Sequence, residues 1–184
     1  VVCINELMPN ADGSDQGIFP QGEWVELLNT GSSSVNLEGW TIVDIGGWSH
    51  PINENSWIGF ADLPTPYHLE AGAYAVIAEN EIGTLRLNNA GETVFLKDSQ
   101  DVVVHEITTG QAANGVSKIP SGSNGEWVDS DQPTPGAENS GGEPVSDPDP
   151  PTPNDLTRIM MVPDGAEVTG LHVNSIGNLF VSAM

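Results

Sequence analysis

The stretch Glu23–Trp40, EWVELLNTGSSSVNLEGW, decides the fold class. Val25 and Leu27 alternate with Glu26, a period of two that predicts a strand with its apolar face toward a core. The NTGSSS run that follows has the residues of a polar turn. The chain then returns through VNLEGW, which brings further apolar side chains, ending at Trp40, toward the same core. Two approaches to one core across a turn favour an all-β fold.

Short strand-like runs separated by Gly, Asn, Pro and Ser clusters continue through residues 1–139. Regular short strands of this kind predict a β-sandwich, and no stretch shows convincing helical periodicity. The continuously apolar run Tyr74–Ala78 predicts a central strand, and Asp98–Asp101 predicts a hairpin turn. The predicted strands are Val2–Met8, Trp24–Asn29, Trp40–Ile45, Tyr74–Ala78, Thr93–Lys97, Val102–Ile107, Gly115–Ile119 and Trp127–Asp129.

Two further zones follow the predicted sandwich. Residues 140–153, SGGEPVSDPDPPTP, are rich in proline and acids and predict an extended, semi-rigid linker. In residues 154–184 the β pattern resumes, with a hairpin around Asn174–Asn178. About thirty residues are too few to bury a core. We therefore expect this third zone either to pair with the first domain or to open a domain that continues past Met184.

The charge balance restricts the partners. Four Lys and Arg residues stand against 26 Asp and Glu, a formal net charge of −22. Such a surface repels phosphate backbones and anionic lipids, so we expect neither nucleic-acid binding nor membrane insertion. The acids are either a solvated surface or hold specific Ca²⁺ sites. A single cysteine, Cys3, excludes an intramolecular disulfide, and its strand position predicts a small buried side chain.

The best calcium candidate is the loop NADGSDQG, residues 10–17, with the carboxylates of Asp12 and Asp15. Oxygen donors suit Ca²⁺, but the spacing does not fit an EF-hand. Asx-rich loops also arise from turn chemistry alone. The same two interpretations apply to the acids near the end of the sandwich, namely Glu126, Asp129 and Asp131.

An aromatic-rich stretch between the third and fourth predicted strands is a candidate contact site. Residues 46–66, GGWSHPINENSWIGFADLPTP, are longer than a tight turn needs. These aromatics either cap the open end of the sandwich or form an exposed platform for a partner or glycan. The candidate partner-binding residues are Trp48, Trp57, Phe60 and Tyr67, with His50 beside them.

Catalysis within the chain is not expected. The four histidines, His50, His68, His105 and His172, lack an HExxH frame or nearby cysteine ligands, and the VVVHE pattern predicts a surface-facing His105. No GxSxG elbow, Walker-type loop or strand-borne GxGxxG occurs.

Five motifs in order carry a resemblance over residues 1–139: VCINELMPN, GEWVELLNTGSSSVNLEGWTI, LEAGAYAVIAEN, LNNAGETVFLKDSQDVVV and GEWVDSDQPTPGAEN. Together they resemble the lamin-tail domain. The resemblance implies an immunoglobulin-like β-sandwich used as an accessory module, which in bacteria is often attached to secreted nucleases, phosphatases and surface proteins.

A weaker resemblance covers about twenty residues of the third zone. Pro163–Gly170 and Asn178–Met184 are similar to a segment of PhoX-like alkaline phosphatases, which are calcium- and iron-dependent β-propellers. That resemblance implies that Glu167 is a metal ligand, whereas a solvent-facing strand glutamate is the alternative.

These observations lead to one expectation and two alternatives. We expect a noncatalytic extracellular or cell-surface module, an excised or mature piece of a larger secreted protein, used for targeting, spacing or adhesion. Its partners would be other domains of that protein or matrix components. The alternatives are an appendage of a PhoX-like phosphatase and a self-assembling subunit of a surface layer or filament, in which the last strands join a neighbour's sheet edge.

Overall fold

The computed structural model describes residues 1–78, 85–121 and 125–140, together with the backbone of two later strands, 168–173 and 179–183. The chain divides into two units, Val1–Pro144 and Val145–Met184. In the described residues the first unit contains β-strands and one short 3₁₀ helix, Phe60–Asp62. No described helix has the length and apolar character that a membrane crossing requires.

The first unit is an immunoglobulin-like β-sandwich, as the sequence predicts. Its strands are β1 (Val2–Met8), β2 (Trp24–Asn29), β3 (Val35–Asn36), β4 (Thr41–Asp44), β5 (Ser49–Pro51), β6 (His68–Leu69), β7 (Tyr74–Ala78), β8 (Glu92–Lys97), β9 (Val103–Thr109), β10 (Ser117–Ser121) and β11 (Glu126–Ser130). A five-stranded sheet has the order β11-β10-β1-β2-β7, a four-stranded sheet the order β5-β4-β8-β9, and β3 pairs with β6. Every pairing is antiparallel.

The core lies between the two larger sheets. From the five-stranded sheet, Val25 and Leu27 of β2 are fully buried in it, as their alternation predicts. Leu37 and Trp40 return to the same cluster, which confirms the interpretation of the Glu23–Trp40 stretch. Each such side chain contributes on the order of 2 kcal/mol by leaving water. The opposite sheet contributes Ile42, Val94, Leu96 and Ile107.

The strand β7 is not central, contrary to the prediction from its apolar run. It is the last strand of the five-stranded sheet, next to β2. Its outer edge is covered by a neighbouring segment: Ile58 N–H donates to Val76 O (2.9 Å), and Ala78 N–H donates to Ser56 O (2.9 Å). Trp57 bridges to Ile77 between them. An edge strand buried in this way is as apolar as a central one, so the pattern alone does not separate the two cases.

The hairpin turn predicted at Asp98–Asp101 is confirmed between β8 and β9. The Asp98 carboxylate accepts the N–H groups of Gln100 (2.8 Å) and Val102 (3.0 Å). Asp101 takes a positive φ of 63°. Asp tolerates this left-handed conformation better than most residues, and its side chain can also stabilise the turn.

A histidine links the two sheets. The backbone N–H of Ile4 on β1 donates to Nδ1 of His105 on β9 (3.2 Å). The register of β1 against β2 shifts between Ile4 and Glu6, so β1 is irregular at this point. His105 is half-buried, and burial lowers its pKa. The prediction of a surface-facing His105 is therefore wrong, because its ring accepts a main-chain hydrogen bond from the opposite sheet.

The loop between β1 and β2 folds tightly on itself. Glu23 N–H donates to Asp15 O (2.9 Å), and Gln21 N–H donates to Ile18 O (2.9 Å). The loop contains the cis peptide Phe19-Pro20. Where the loop closes, an added Cβ at Gly22 would lie 1.8 Å from the carbonyl oxygen of Gly17. Only glycine fits at this position.

The described part of the second unit is a hairpin. Strands β12 (Val168–Val173) and β13 (Leu179–Ala183) pair antiparallel, with a register shift between Val168 and Gly170. This confirms the hairpin predicted in the third zone. A two-stranded hairpin is at best marginally stable by itself in water.

We predict that Gly22→Ala destabilises the first unit by about 1–3 kcal/mol, because the new methyl group must displace the Gly17 backbone. Urea unfolding followed by tryptophan fluorescence measures this. Gly110→Ala is the matched control, since no atom lies within 4 Å of an added Cβ there. Equal stabilities for the two variants would contradict the close packing at Gly22.

We also predict that His105→Phe costs about 1 kcal/mol near pH 8, where the Ile4 N–H loses its acceptor. The stabilisation from the neutral ring is complete above the usual histidine pKa of 6.5 and decreases as pH falls through the lower folded-state value. The difference in unfolding free energy between wild type and variant should therefore shrink below about pH 6. The control is His68→Phe on β6, and a pH-independent difference at His105 would refute the linkage.

Candidate functional site

The aromatic residues predicted as one exposed cluster divide into two groups. Trp57 is only 3% exposed and packs in the core, so its place in an exposed platform is wrong. Phe60 meets it edge-on at 6.1 Å between ring centroids, and Tyr67 meets Phe60 at 4.8 Å. The Tyr67 hydroxyl donates to Glu54 Oε2 (2.9 Å). These three rings therefore pack against one another in series, from Trp57 in the core outward to Tyr67.

Trp48 stands apart from that ladder and is 59% exposed. Its ring lies under the guanidinium of Arg86, 5.0 Å from the ring centroid, a cation–π contact. Ile45, three residues earlier in the same turn, is 70% exposed. We call Ile45, Trp48 and Arg86 the Trp48 surface.

The turn that carries the Trp48 surface is rigidly bonded. Asp44 Oδ1 accepts the N–H of Trp48 (2.7 Å), and Asp44 N–H donates to Trp48 O (3.0 Å). Gly47 N–H donates to Asp44 O (3.1 Å), and Gly47 adopts a φ of 86° that favours glycine. A turn whose main chain is already fixed loses little backbone entropy on binding, which favours a contact role for the side chains that it carries.

Behind this turn the described residues enclose a small cavity. It has a volume of about 10 Å³ and lies among Trp48, His50 and Leu87, enough for one water molecule. His50 is 5% exposed, and burial lowers its pKa to about 4. A buried imidazole that stays neutral in this way is suited to packing.

The predicted calcium residues Asp12 and Asp15 each hold another loop. Asp12 Oδ1 accepts the side-chain N–H of Asn114 (3.0 Å), and Asp15 Oδ2 accepts that of Asn89 (3.0 Å). Over residues 1–78, 85–121 and 125–140, no group of three or more His, Cys, Asp or Glu side chains converges as a metal site. The structure therefore gives both aspartates a role in joining loops, and Glu167 lies outside the described residues.

Among the acids near the end of the sandwich, which the sequence offered as a second calcium candidate, Asp129 has a structural role. Asp129 forms an ion pair with Lys118, whose ammonium group also donates to Gln111 O (2.6 Å). Lys118 is 5% exposed, so this pair is a structural contact between neighbouring strands.

The single cysteine also has a structural environment. Cys3 is half-buried with its pKa raised by burial, and its Sγ lies 3.6 Å from Leu28 O. None of these contacts resembles a catalytic arrangement.

Sequence reasoning missed the most unusual charged group of the domain. Glu6 of β1 and Glu26 of β2 lie directly opposite each other, and both are fully buried. A segment that we call the strap, residues 133–139 (PTPGAEN), bonds to them: Thr134 donates its N–H and hydroxyl to Glu6, and Gly136 N–H donates to Glu26.

A sequence signal for this group exists only in part. Period-two alternation places Glu26 on the face opposite Val25, and nothing local indicates that a segment more than a hundred residues later covers that face. The pKa of Glu26 is raised to about 7, chiefly by burial, and burial also raises the pKa of Glu6.

The family model of the lamin tail domain matches residues 1–111, which include β1 to β9. No curated protein and no solved structure matches the chain. The strap and the strands β10 and β11 lie beyond the matched residues, although β10 pairs with β1 and the strap bonds to β1 and β2.

The family match spans more than half of the chain and agrees with the β-sandwich of the first unit. This chain therefore belongs to the lamin tail domain family.

Proposed function

We propose that this chain is a noncatalytic accessory module of a larger secreted protein, in which it serves targeting, spacing or adhesion at the cell surface. Membership of the lamin tail domain family supports a binding or structural module rather than an enzyme. The observation that carries the adhesive role is the rigid, exposed Trp48 surface.

The composition of the Trp48 surface suits a protein or matrix contact. Tryptophan and arginine are the residues most enriched where binding energy concentrates, and Trp48 and Arg86 lie together. Large side chains at 59% and 70% exposure, held by a bonded turn, expose apolar area that folding leaves uncovered. Burial of that area against a partner would yield free energy that the isolated domain does not gain.

The charge distribution supports the same role. Two of the chain's four cations are engaged with acids: Lys97 pairs with Asp101, and Lys118 pairs with Asp129. Within the described ranges Arg86 forms no ion pair and stacks on Trp48 instead. The formal charge of −22 disfavours close approach of anionic polymers, because the repulsion acts within a Debye length of about 8 Å, so a neutral or cationic matrix component is the favoured partner.

A second candidate function is assembly into a surface layer or filament. The described backbone of β12 and β13 forms a sheet of only two strands. Such a hairpin gains stability when further strands join it, and the edge of a neighbouring subunit's sheet would supply them. The third possibility, an appendage of a PhoX-like phosphatase with Glu167 as a metal ligand, stays a prediction from the sequence.

We further propose that calcium binds the acidic loop of residues 10–17. Asp12 and Asp15 each use one carboxylate oxygen to hold an asparagine, so each retains a second oxygen that could face a hard cation. Neighbouring acids on a strongly negative surface raise the local concentration of divalent cations.

For the adhesive role, we predict that Trp48→Ala weakens binding of the full chain to insoluble cell-wall and matrix material at least tenfold, because the aromatic anchor is lost. Co-sedimentation over a range of matrix concentrations measures this. The matched control is Val102→Ser, an equally exposed apolar residue at the far end of the four-stranded sheet. Unchanged binding by Trp48→Ala, or no binding by the wild type, would argue against the proposal.

For calcium, we expect a saturable rise in the melting temperature of the full chain at constant ionic strength. At a calcium concentration 100 times the dissociation constant the stabilisation is about 2.7 kcal/mol. The double variant Asp12→Asn/Asp15→Asn should lose the rise, and Asp62→Asn on the exposed 3₁₀ helix should keep it. A non-saturable response shared by all three proteins would leave the acids as solvated charge. Hydrodynamic size followed in the same titration tests assembly, which predicts growth with calcium.

A further inference from the structure

We propose that the strap is a pH-operated latch, closed while the Glu6–Glu26 pair holds a proton and loosened when both carboxylates are ionised. The latch does not depend on the Trp48 surface, which lies on the four-stranded sheet, so either proposal can fail without the other.

The geometry of the pair places two like charges together inside the protein. Glu6 and Glu26 are cross-strand partners on adjacent antiparallel strands, with side chains on the same face. Both are 0% exposed. Two carboxylates on directly opposed residues, away from water, resist simultaneous ionisation and titrate as a pair.

The strap is what buries this pair. Thr134 N–H lies 3.1 and 3.2 Å from the two carboxylate oxygens of Glu6, and the Thr134 hydroxyl lies 2.9 Å from Glu6 Oε2. Asn5 Nδ2 donates to Glu26 Oε1 (2.7 Å) and to Asn139 Oδ1 (3.2 Å). Asn139 Nδ2 returns a bond to Asn5 O (3.0 Å). The strap therefore closes over the two carboxyl groups through hydrogen bonds at Thr134, Gly136 and Asn139.

Among the residues that the structure describes, no cation offsets the two charges. In the described parts of the chain, neither Glu6 nor Glu26 forms an ion pair with a Lys or Arg side chain. The titratable groups that face Glu26 are Glu6 on β1 and the Tyr74 phenol on β7, and Glu138 of the strap acts on Tyr74. Ser117 on β10 and Thr134 contribute hydrogen bonds to Glu6. All of these titratable neighbours are neutral or negative, so ionisation of the pair meets only repulsion and neutral donors.

The direction of the pH effect follows from linkage. Burial raises the pKa of Glu26 to about 7 from its usual 4.5 and also raises that of Glu6. When the strap lifts, water reaches both groups and their pKa values return toward the usual range, so opening releases a proton. The closed state is therefore most favoured below about pH 4.5, loses this advantage as pH rises through about 7, and loses nothing further well above it.

Opening would uncover an apolar face of the domain. Pro133 and Pro135 of the strap line a groove of about 290 Å³ together with Met8 and Trp24, which are buried beside the carboxylates on the outer face of the five-stranded sheet. A lifted strap would expose these side chains above neutral pH. In acidic surroundings they would stay covered.

Hydrogen exchange of the full chain, read by NMR or mass spectrometry at several pH values and corrected for the intrinsic rate, tests the latch. We expect the protection of the Thr134 and Gly136 amides to fall by up to tenfold per pH unit between pH 5.5 and 7.5, while the amides of Val94 and Leu96 in the opposite sheet change little. The double variant Glu6→Gln/Glu26→Gln should make the strap's protection independent of pH, because both carboxyl groups beneath the strap are then removed. The matched control Glu70→Gln, at an exposed position, should behave as the wild type.

Constant protection of the strap across this range in the wild type would overturn the proposal, as would a pH dependence that survives the double variant. Should the double variant fail to fold, carboxyl ¹³C shifts of labelled glutamate in the wild-type chain decide the point. A pair that titrates in two steps, one of them with an apparent pKa near 7, supports the latch, and ordinary values near 4.5 for both groups contradict it.

Discussion

Buried carboxylates that accept N–H groups are the interaction on which the rest of this domain depends. Glu6 and Glu26 hold the strap, and Glu23 accepts the N–H of Leu87 (2.9 Å). Glu92 accepts the N–H of Asn88 (2.8 Å). A buried carboxylate must find donors or lose several kcal/mol. In a chain with four Lys and Arg residues, main-chain and amide N–H groups supply most of those donors.

This arrangement explains how a sandwich with long loops remains ordered. Glu6, Glu23 and Glu26 lie on or beside strands and bond to segments far away in sequence, so those segments are tied to the sheets that they cover. Asparagine side chains also bond to segments distant in sequence: Asn29 Nδ2 donates to Leu69 O (2.9 Å), and Asn10 Nδ2 donates to Ala112 O (3.0 Å). Because these bonds are directional, they set the loop positions more specifically than apolar contact does.

The two surfaces of interest are stabilised by different interactions. The Trp48 surface is held by the Asp44 turn and needs no titrating group to keep its shape. The outer face beneath the strap is held by carboxylates whose ionisation opposes their burial. One surface is thus permanently exposed, and the other is covered to an extent that depends on pH. An accessory module at a cell surface could use the first for attachment and the second for response to its surroundings.

Local pattern was sufficient for the fold class and for much of the strand placement. Val2–Met8, Trp24–Asn29 and Tyr74–Ala78 have the predicted bounds, because alternating or continuous apolar runs bounded by turn residues have few other solutions. The hairpin turn at Asp98 also follows from local chemistry, since an Asp side chain bonds to nearby main-chain groups. The family motifs carry the same information, as they are the core-facing and turn residues of the sandwich.

Only the tertiary structure decided which exposed-looking residues are buried and which aromatics remain outside. The pattern treats Trp48 and Trp57 alike, yet Trp57 fills the core beside β7 and Trp48 stays in solvent. The sequence pattern also does not indicate that Glu26, on the outer face of a strand, lies beneath the strap. Burial of an outward-facing residue depends on where distant segments pack. The position of a distant segment is set by the summed contacts of the whole domain, so the local periodicity of a strand does not indicate it.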